Sequence, residues 1–90
     1  MTNDHKPDRP DELLRIQDNN GEVAQKESSS ARCGPMRVWS KKDPEVPGLA
    51  VSRSFGDLYL HEAGVSSDPE INILELGKND KFMIIASDGL

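Results

Sequence analysis

The stretch Lys81-Phe82-Met83-Ile84-Ile85-Ala86-Ser87-Asp88-Gly89-Leu90 decides how the fold is interpreted. Its apolar run, Phe82–Ala86, predicts a buried β-strand over residues 81–87. Such a strand holds its backbone rigidly, so the carboxylate of Asp88 at its end is fixed in space. Gly89 then allows a sharp turn and the close approach of a ligand. The stretch therefore predicts a functional carboxylate at the end of a central strand.

The residues before this strand predict its partner. Residues 70–76 alternate apolar and polar side chains, which is typical of a β-strand. Gly77–Asp80 between the two segments has the length and composition of a hairpin turn. We therefore expect strands 70–76 and 81–87 to be antiparallel neighbours.

The first half of the chain carries the signals of one helix. Asp8–Glu12 combines a capping aspartate at Asp8, a proline in the first turn and acidic residues near the positive end of the helix dipole. Asn19–Gly21 predicts the helix end, with Gly21 as a left-handed cap. The remaining predicted elements are a short strand at 22–25, a strand at 36–39 and a helical turn or short helix at 53–60.

Composition limits the possible functions. Ninety residues form at most one small domain, and the single cysteine, Cys33, excludes an internal disulfide. A net charge of −5 argues against nucleic-acid binding, which requires clustered Lys and Arg. The longest apolar run is far too short for a membrane span, and we find no secretory signal. We expect an intracellular protein, cytoplasmic or nuclear.

Asp88 is the main candidate for chemistry, and two interpretations of it are open. Carboxylate oxygens are the ligands that Mg²⁺ and Mn²⁺ prefer, so Asp88 could bind a metal. It could instead cap the backbone of its own turn. One carboxylate cannot hold Mg²⁺ alone, so the metal interpretation needs further ligands from elsewhere.

Asp57, in the segment 52–57, is the second candidate. Its serines, Arg53 and Asp57 could form an internal hydrogen-bonded brace, in which the guanidinium is a forked donor. Arg53 could instead bind a phosphate. The two histidines, His5 and His61, have no metal-ligand spacing and are expected at the surface or in hydrogen bonds. Trp39 is expected to be buried, and Lys41–Asp43 to be solvated.

Four blocks, in the order of the family's motifs, resemble the metal-dependent serine/threonine protein phosphatases of type 2C. They are Asp4–Pro7 with Asp11-Glu12, Arg15-Ile16 and Gly21; Arg37–Trp39 with Pro47–Asp57; Gly64–Ile71; and Phe82–Gly89. Asn20 stands where the family pattern has a glycine, and Asp68 where it has a glutamate. The resemblance covers nearly the whole chain.

The resemblance implies an α+β fold that is part of an αββα sandwich, with two antiparallel sheets flanked by helices. It implies that two Mg²⁺ or Mn²⁺ ions activate a water for attack on phosphoserine or phosphothreonine. Asp88 matches the metal-binding aspartate of the family's "SDG" motif. The segment from about Lys26 to Pro47 matches the flap beside the active-site cleft.

The resemblance also implies that residues 1–90 are a middle-to-late part of the catalytic domain. The family's other metal ligands and its phosphate-binding arginine have no counterpart here, so Asp88 is the one predicted site residue. We expect the parent to be a monomeric phosphatase that acts on phosphoproteins, and the 90 residues alone to be inactive. The alternatives are a non-catalytic pseudophosphatase module that binds partners and a standalone interaction module.

Overall fold

The structure, a computed structural model, describes residues 1–26 and 34–90; Cys33 and part of the segment that matches the flap lie outside these residues. Its elements are helix α1 (Pro10–Asp18), strand β1 (Gly21–Ala24), strand β2 (Arg37–Ser40) and a 3₁₀ helix (Leu58–Ala63). β1 and β2 pair antiparallel, with Val23 opposite Val38. The described residues form a small α+β unit, and the four short elements lie where the sequence predicts them or overlap those positions.

Helix α1 begins differently from the prediction. Arg9 is the N-cap and no side chain caps the helix, since Asp8 lies one residue too early to reach the free N–H groups. Pro10 is the first helical residue, where its missing N–H costs nothing. α1 has nine residues, and no helix in the described ranges is long and apolar enough to cross a membrane.

The predicted left-handed cap at Gly21 is also wrong. The cap is Asn19, which is extended, and Gly21 is the first residue of β1. A side chain at Gly21 would collide with the backbone oxygen of Ala63 and with Ile16. The glycine is therefore needed because helix, strand and 3₁₀ helix meet closely here, a packing demand that a local sequence pattern does not reveal.

The core joins α1, the two strands and the 3₁₀ helix. Its fully buried apolar residues are Ile16, Val38, Leu60, Ala63 and Val65. Two isolated bridges extend the strand contacts, Val38 with Leu49 antiparallel and Arg53 with Ser66 parallel. The first bridge holds Leu49 against β2, and the second joins Arg53 to Ser66 within the following segment. That segment carries Ser52, Arg53 and Asp57, which belong to the site described next.

The predicted strands 70–76 and 81–87 are not formed in this chain. The turn between them exists, with Asp80 N donating to the Gly77 carbonyl oxygen at 3.1 Å, but residues 41–90 form no strand. Both segments are exposed along their whole length; Ile84, for example, is 70% exposed. Two strands joined by a turn are marginal at best in water, and the described residues offer these segments no surface on which to bury their side chains.

Candidate functional site

Asp88 lines a cleft between the two ends of the described chain. The cleft has a volume of about 460 Å³. The N-terminal segment supplies Thr2, Asn3, Asp4, His5 and Lys6, and the other lining residues are Val51, Arg53, Ala86, Ser87 and Asp88. The structure therefore places the predicted metal ligand beside two of the sequence blocks, Asp4–Pro7 and Pro47–Asp57.

A buried carboxylate, Glu12 of α1, holds one wall of this cleft. Its Oε1 accepts hydrogen bonds from Arg53 Nε at 2.7 Å and from Ser52 Oγ at 2.8 Å. Its Oε2 accepts from Arg15 Nη1 and from Arg53 Nη2. Glu12 is 0% exposed, and a buried charge is stable only when it is paired and hydrogen-bonded in this way.

The electrostatics of Glu12 favour its charged form. Burial raises the pKa of Glu12, but hydrogen bonds from Arg53, Arg15 and Ser52 outweigh this and lower the pKa to about 2. The same pairing raises the pKa of Arg53. Near neutral pH, Glu12 and Arg53 therefore form a charged, fixed pair at one wall of the cleft.

Ser52 connects this pair to the N-terminal segment. The carbonyl oxygen of His5 accepts from Ser52 N at 2.9 Å. Ser52 Oγ lies 3.0 Å from the same oxygen, and its single proton is shared between His5 O and Glu12. Pro7, two residues on, is fully buried. The backbone around Asp4–Pro7 is thus held against Ser52, and the cleft walls are set by hydrogen bonds that are largely shielded from water.

A second, more exposed group of charges lies around Glu70. Glu70 Oε2 is 2.9 Å from His5 Nε2 and accepts from Arg9 Nη2 at 2.8 Å. Both partners lower the pKa of Glu70, and Arg9 has the larger effect. Arg9 also forms a bidentate pair with Asp11, whose pKa it holds well below its usual range. The group links the N-terminal segment to the start of the exposed C-terminal segment.

The internal brace predicted for residues 52–57 is found only in part. Arg53 is the forked donor, and its acceptor is Glu12 rather than Asp57. Asp57 accepts from Ser54 Oγ at 2.6 Å and from Tyr59 OH at 3.0 Å, which lower its pKa. Asp57 has a φ of 55°, in the left-handed region that aspartate tolerates, and its backbone turns the chain into the 3₁₀ helix.

The other predicted candidates have structural roles. His61 Nε2 is 3.1 Å from the Gly56 carbonyl oxygen, and both histidines are hydrogen-bonded as predicted. Trp39 is half-buried and not buried as predicted, and its Nε1 donates to the Ala24 carbonyl oxygen at 2.9 Å. Lys26 Nζ lies 4.6 Å from the centre of the Trp39 ring, a cation–π contact. Lys42 is exposed and pairs with Glu62 at 3.4 Å.

Sequence reasoning missed two site residues, Glu12 and Asp4. Glu12 is one of two acidic residues in the first turn, and its spacing of three from Arg15 is that of an ion pair on one helix face. Asp4 had no separate role, because only the fold brings it to the cleft that Asp88 lines. The first residue could have been found from spacing, and the second could not.

The donors at the cleft match a divalent metal in type but not in number. Asp4 and Asp88 offer carboxylate oxygens, which Mg²⁺ and Mn²⁺ prefer. Within residues 1–26 and 34–90, no group of three or more His, Cys, Asp or Glu side chains is close enough to hold a metal ion. The described residues therefore provide part of a possible metal site and do not complete one.

Comparisons with known proteins agree on one family. The family model of protein phosphatase 2C matches residues 1–90. Probable protein phosphatase 2C 61 of Arabidopsis thaliana is 40% identical over 90 residues, which are 100% of this chain and 26% of that protein. Probable protein phosphatase 2C 48 of Oryza sativa subsp. japonica is 41% identical over 90 residues, again the whole chain and 24% of that protein.

A third relative, probable protein phosphatase 2C 18 of Arabidopsis thaliana, is 44% identical over 92 aligned positions that cover the whole chain and 17% of that protein. No solved structure matches the chain. The chain thus spans about a quarter or less of the length of these relatives. Because the family model covers every residue from 1 to 90, the chain belongs to the protein phosphatase 2C family.

Proposed function

We propose that residues 1–90 are a middle-to-late part of the catalytic domain of a metal-dependent serine/threonine protein phosphatase. In this proposal the substrate is a phosphoprotein, and the complete domain works as a monomer. Family membership over the whole chain supports the reaction class. The observation that carries the proposal is the position of Asp88 in a cleft beside Asp4 and the fixed Arg53.

In this function, Asp88 is a metal ligand, and Asp4 is a second carboxylate at the same cleft. Mg²⁺ or Mn²⁺ ions, two in the complete domain, would supply a nucleophile at neutral pH and offset the charge of the phosphoryl group. The remaining ligands would come from parts of the domain outside residues 1–90. The contribution of this chain is to hold its carboxylates in place.

Arg53 acts as a structural brace in this proposal and does not bind phosphate. Its Nε and Nη2 donate to Glu12, and its Nη1 donates to the Asp68 carbonyl oxygen at 3.0 Å. A guanidinium with all three nitrogens engaged would have to break bonds to a buried carboxylate in order to bind a phosphate in the same forked way. The fixed Arg53 instead keeps the cleft wall in one position for the carboxylates.

The exposed C-terminal segments have a role in the same proposal. We infer that residues 70–76 and 81–87 pair as strands in the αββα sandwich of the complete domain. Their apolar side chains are exposed here; they are Ile71, Ile73, Leu74, Leu76, Phe82, Met83, Ile84 and Ile85. Burying them would offset the conformational entropy that is lost when both strands form, and it would fix Asp88 at a strand end.

The experiment is metal-dependent turnover by the full-length protein with Asp88→Asn. This change keeps the size of the side chain and removes its charge. Losing an indirect support of a metal ligand costs about 10- to 100-fold, so losing the ligand itself should lower activity at limiting Mn²⁺ at least tenfold. Calorimetric titration with Mn²⁺ should show the matching loss of affinity.

The matched control is Asp18→Asn. Asp18 is exposed at the end of α1, away from the cleft, and the substitution makes the same change in charge. It should leave turnover and Mn²⁺ affinity as in the wild type. Equal Mn²⁺ dependence of the wild type and Asp88→Asn would show that Asp88 is a turn residue and would overturn the proposal.

A further inference from the structure

Lys6 occupies a distinctive place at the cleft. It lines the 460 Å³ cleft that contains Asp88 and also a neighbouring hollow of about 600 Å³. The two spaces share Thr2, Asn3, Asp4 and Lys6, and only the first one reaches Asp88. Lys6 therefore lies at the border of the cleft, where a bound peptide would continue beyond the group held at Asp88.

The charge of Lys6 is free, unlike the other basic groups at the cleft. Three basic side chains line it, His5, Lys6 and Arg53. His5 contacts Glu70, and Arg53 is engaged by Glu12. The Nζ of Lys6 has neither an ion pair nor a hydrogen bond to any described residue, and its side chain is exposed. It is thus the cation that an incoming anionic group can use without breaking an existing pair.

The backbone beneath this cation is fixed. Lys6 N donates to the Asp4 carbonyl oxygen at 2.9 Å, and Lys6 O accepts from Arg9 N at 3.0 Å. The next residue, Pro7, is fully buried, and His5 is tied to Ser52. The ammonium group is therefore mobile only through its own side chain, and its reach from the cleft border is set by the fold.

From this arrangement we propose that Lys6 binds an acidic side chain close to the phosphorylated residue of the protein substrate, and so contributes to substrate choice. The inference rests on the proposed phosphatase function. The chain as a whole is negative at −5, so its surface repels acidic peptides. A free cation at the border offsets this repulsion where the flanking residues of the peptide pass.

The test compares two phosphothreonine peptides in the full-length protein, identical except that one has glutamates and the other glutamines beside the phosphothreonine. The quantity measured is the ratio of kcat/KM for the acidic peptide to that for the neutral one. Lys6→Met should lower this ratio about threefold, the size expected for an exposed ion pair. Lys6→Arg should keep it, and about 0.5 M salt should reduce the wild-type ratio towards that of Lys6→Met.

Lys78→Met is the matched control, because Lys78 is exposed in the turn at 77–80 and lines neither space. It should keep the wild-type ratio. An unchanged ratio in Lys6→Met would overturn the inference. This holds if the variant loses activity equally on both peptides, which would indicate that Lys6 contacts the phosphoryl group. It also holds if the variant loses activity on neither peptide. Absence of turnover of either peptide by the wild type would instead contradict the phosphatase function, and the inference with it.

Discussion

The chain has two regions that differ in whether their apolar side chains are buried. The first region, residues 1–26 and 34–66, contains all the helices and strands and the five buried apolar residues. The second region, residues 67–90, contains the longest apolar run of the sequence, yet every one of its residues is exposed. The less apolar region is the one with a core.

This difference shows that apolar content does not by itself form a core. Ile16, Val38 and Leu60 are buried because a helix, a strand pair and a 3₁₀ helix reach one another within the chain. The side chains of 81–87 have no such partner in the described residues. A strand is stabilised by hydrogen bonds to neighbouring strands and by packing of its two faces. A strand-like sequence therefore forms a strand only where such partners are present.

The largest effect that would test this comparison is expected from Ile84→Asp in the full-length protein. If the second region is a central strand pair there, the substitution buries an unpaired carboxylate and costs more than about 4 kcal/mol. We expect loss of the folded, soluble protein, measured by urea unfolding and circular dichroism. Lys78→Asp, in the exposed turn of the same region, is the control. A soluble and fully active Ile84→Asp protein would contradict the strand assignment.

Removal of the Glu12 carboxylate should have the next largest effect, in the first region. Glu12→Ala leaves Arg53, Arg15 and Ser52 without their acceptor. Because the two arginines are 19% and 28% exposed and can regain water, we expect a loss of about 2–3 kcal/mol in the free energy of unfolding of the full-length protein. Asp11→Asn, on the adjacent exposed residue, should have a much smaller effect. Equal effects of the two substitutions would show that the buried network does not stabilise this region.

Lowering the pH should weaken the same network gradually. The folded pKa of Glu12, about 2, lies below its ordinary value of 4.5, so the folded state favours the charged form. Its contribution to stability is complete above about pH 4.5 and is lost as the pH falls towards 2. The stability difference between wild type and Glu12→Gln, from urea unfolding, should therefore be constant near neutral pH and shrink in that window. A difference that does not change from pH 6 to pH 2.5 would contradict the charged pair.

Gly64→Ala should have the smallest effect of the four. Gly64 has a φ of 96°, and a side chain there would lie 2.7 Å from Ile16 Cα, so we expect a loss of about 1–2 kcal/mol. Gly56→Ala is the control, because the space around Gly56 is open. Thermal unfolding of the full-length protein measures both. An equally stable Gly64→Ala protein would show that the close contact between α1 and the residue after the 3₁₀ helix is not required.

Local signals in the sequence predicted the elements of the first region, and long-range contacts decided the rest. The helix start near Pro10 and the strand at 36–39 follow from spacing and composition, and both are found. The role of Gly21 and the acceptor of Arg53 depend on α1 packing against residues 40 or more positions away, which no local pattern contains. For strands 70–76 and 81–87 the pattern was strand-like, but pairing also requires a surface that the described residues lack.

For the site, the sequence predicted one residue, Asp88, from its family motif. Which residues lie around Asp88 is decided by the fold. Asp88 stood out through its strand-like approach and the glycine after it. That it lines a cleft with Asp4 and Lys6 depends on the two ends of the described chain coming together, across more than 80 residues of sequence. Its role as a metal ligand stays a prediction.

The most direct test of the account is Mn²⁺-dependent turnover of a phosphothreonine peptide, measured in parallel for residues 1–90 and for the full-length protein. We expect turnover by the full-length protein that is abolished by a chelator and restored by Mn²⁺. We expect none by residues 1–90, which offer two carboxylates at the cleft. Turnover by residues 1–90 would contradict the incomplete metal site. A full-length protein that is properly folded but inactive with Mn²⁺ and Mg²⁺ would contradict the phosphatase function itself.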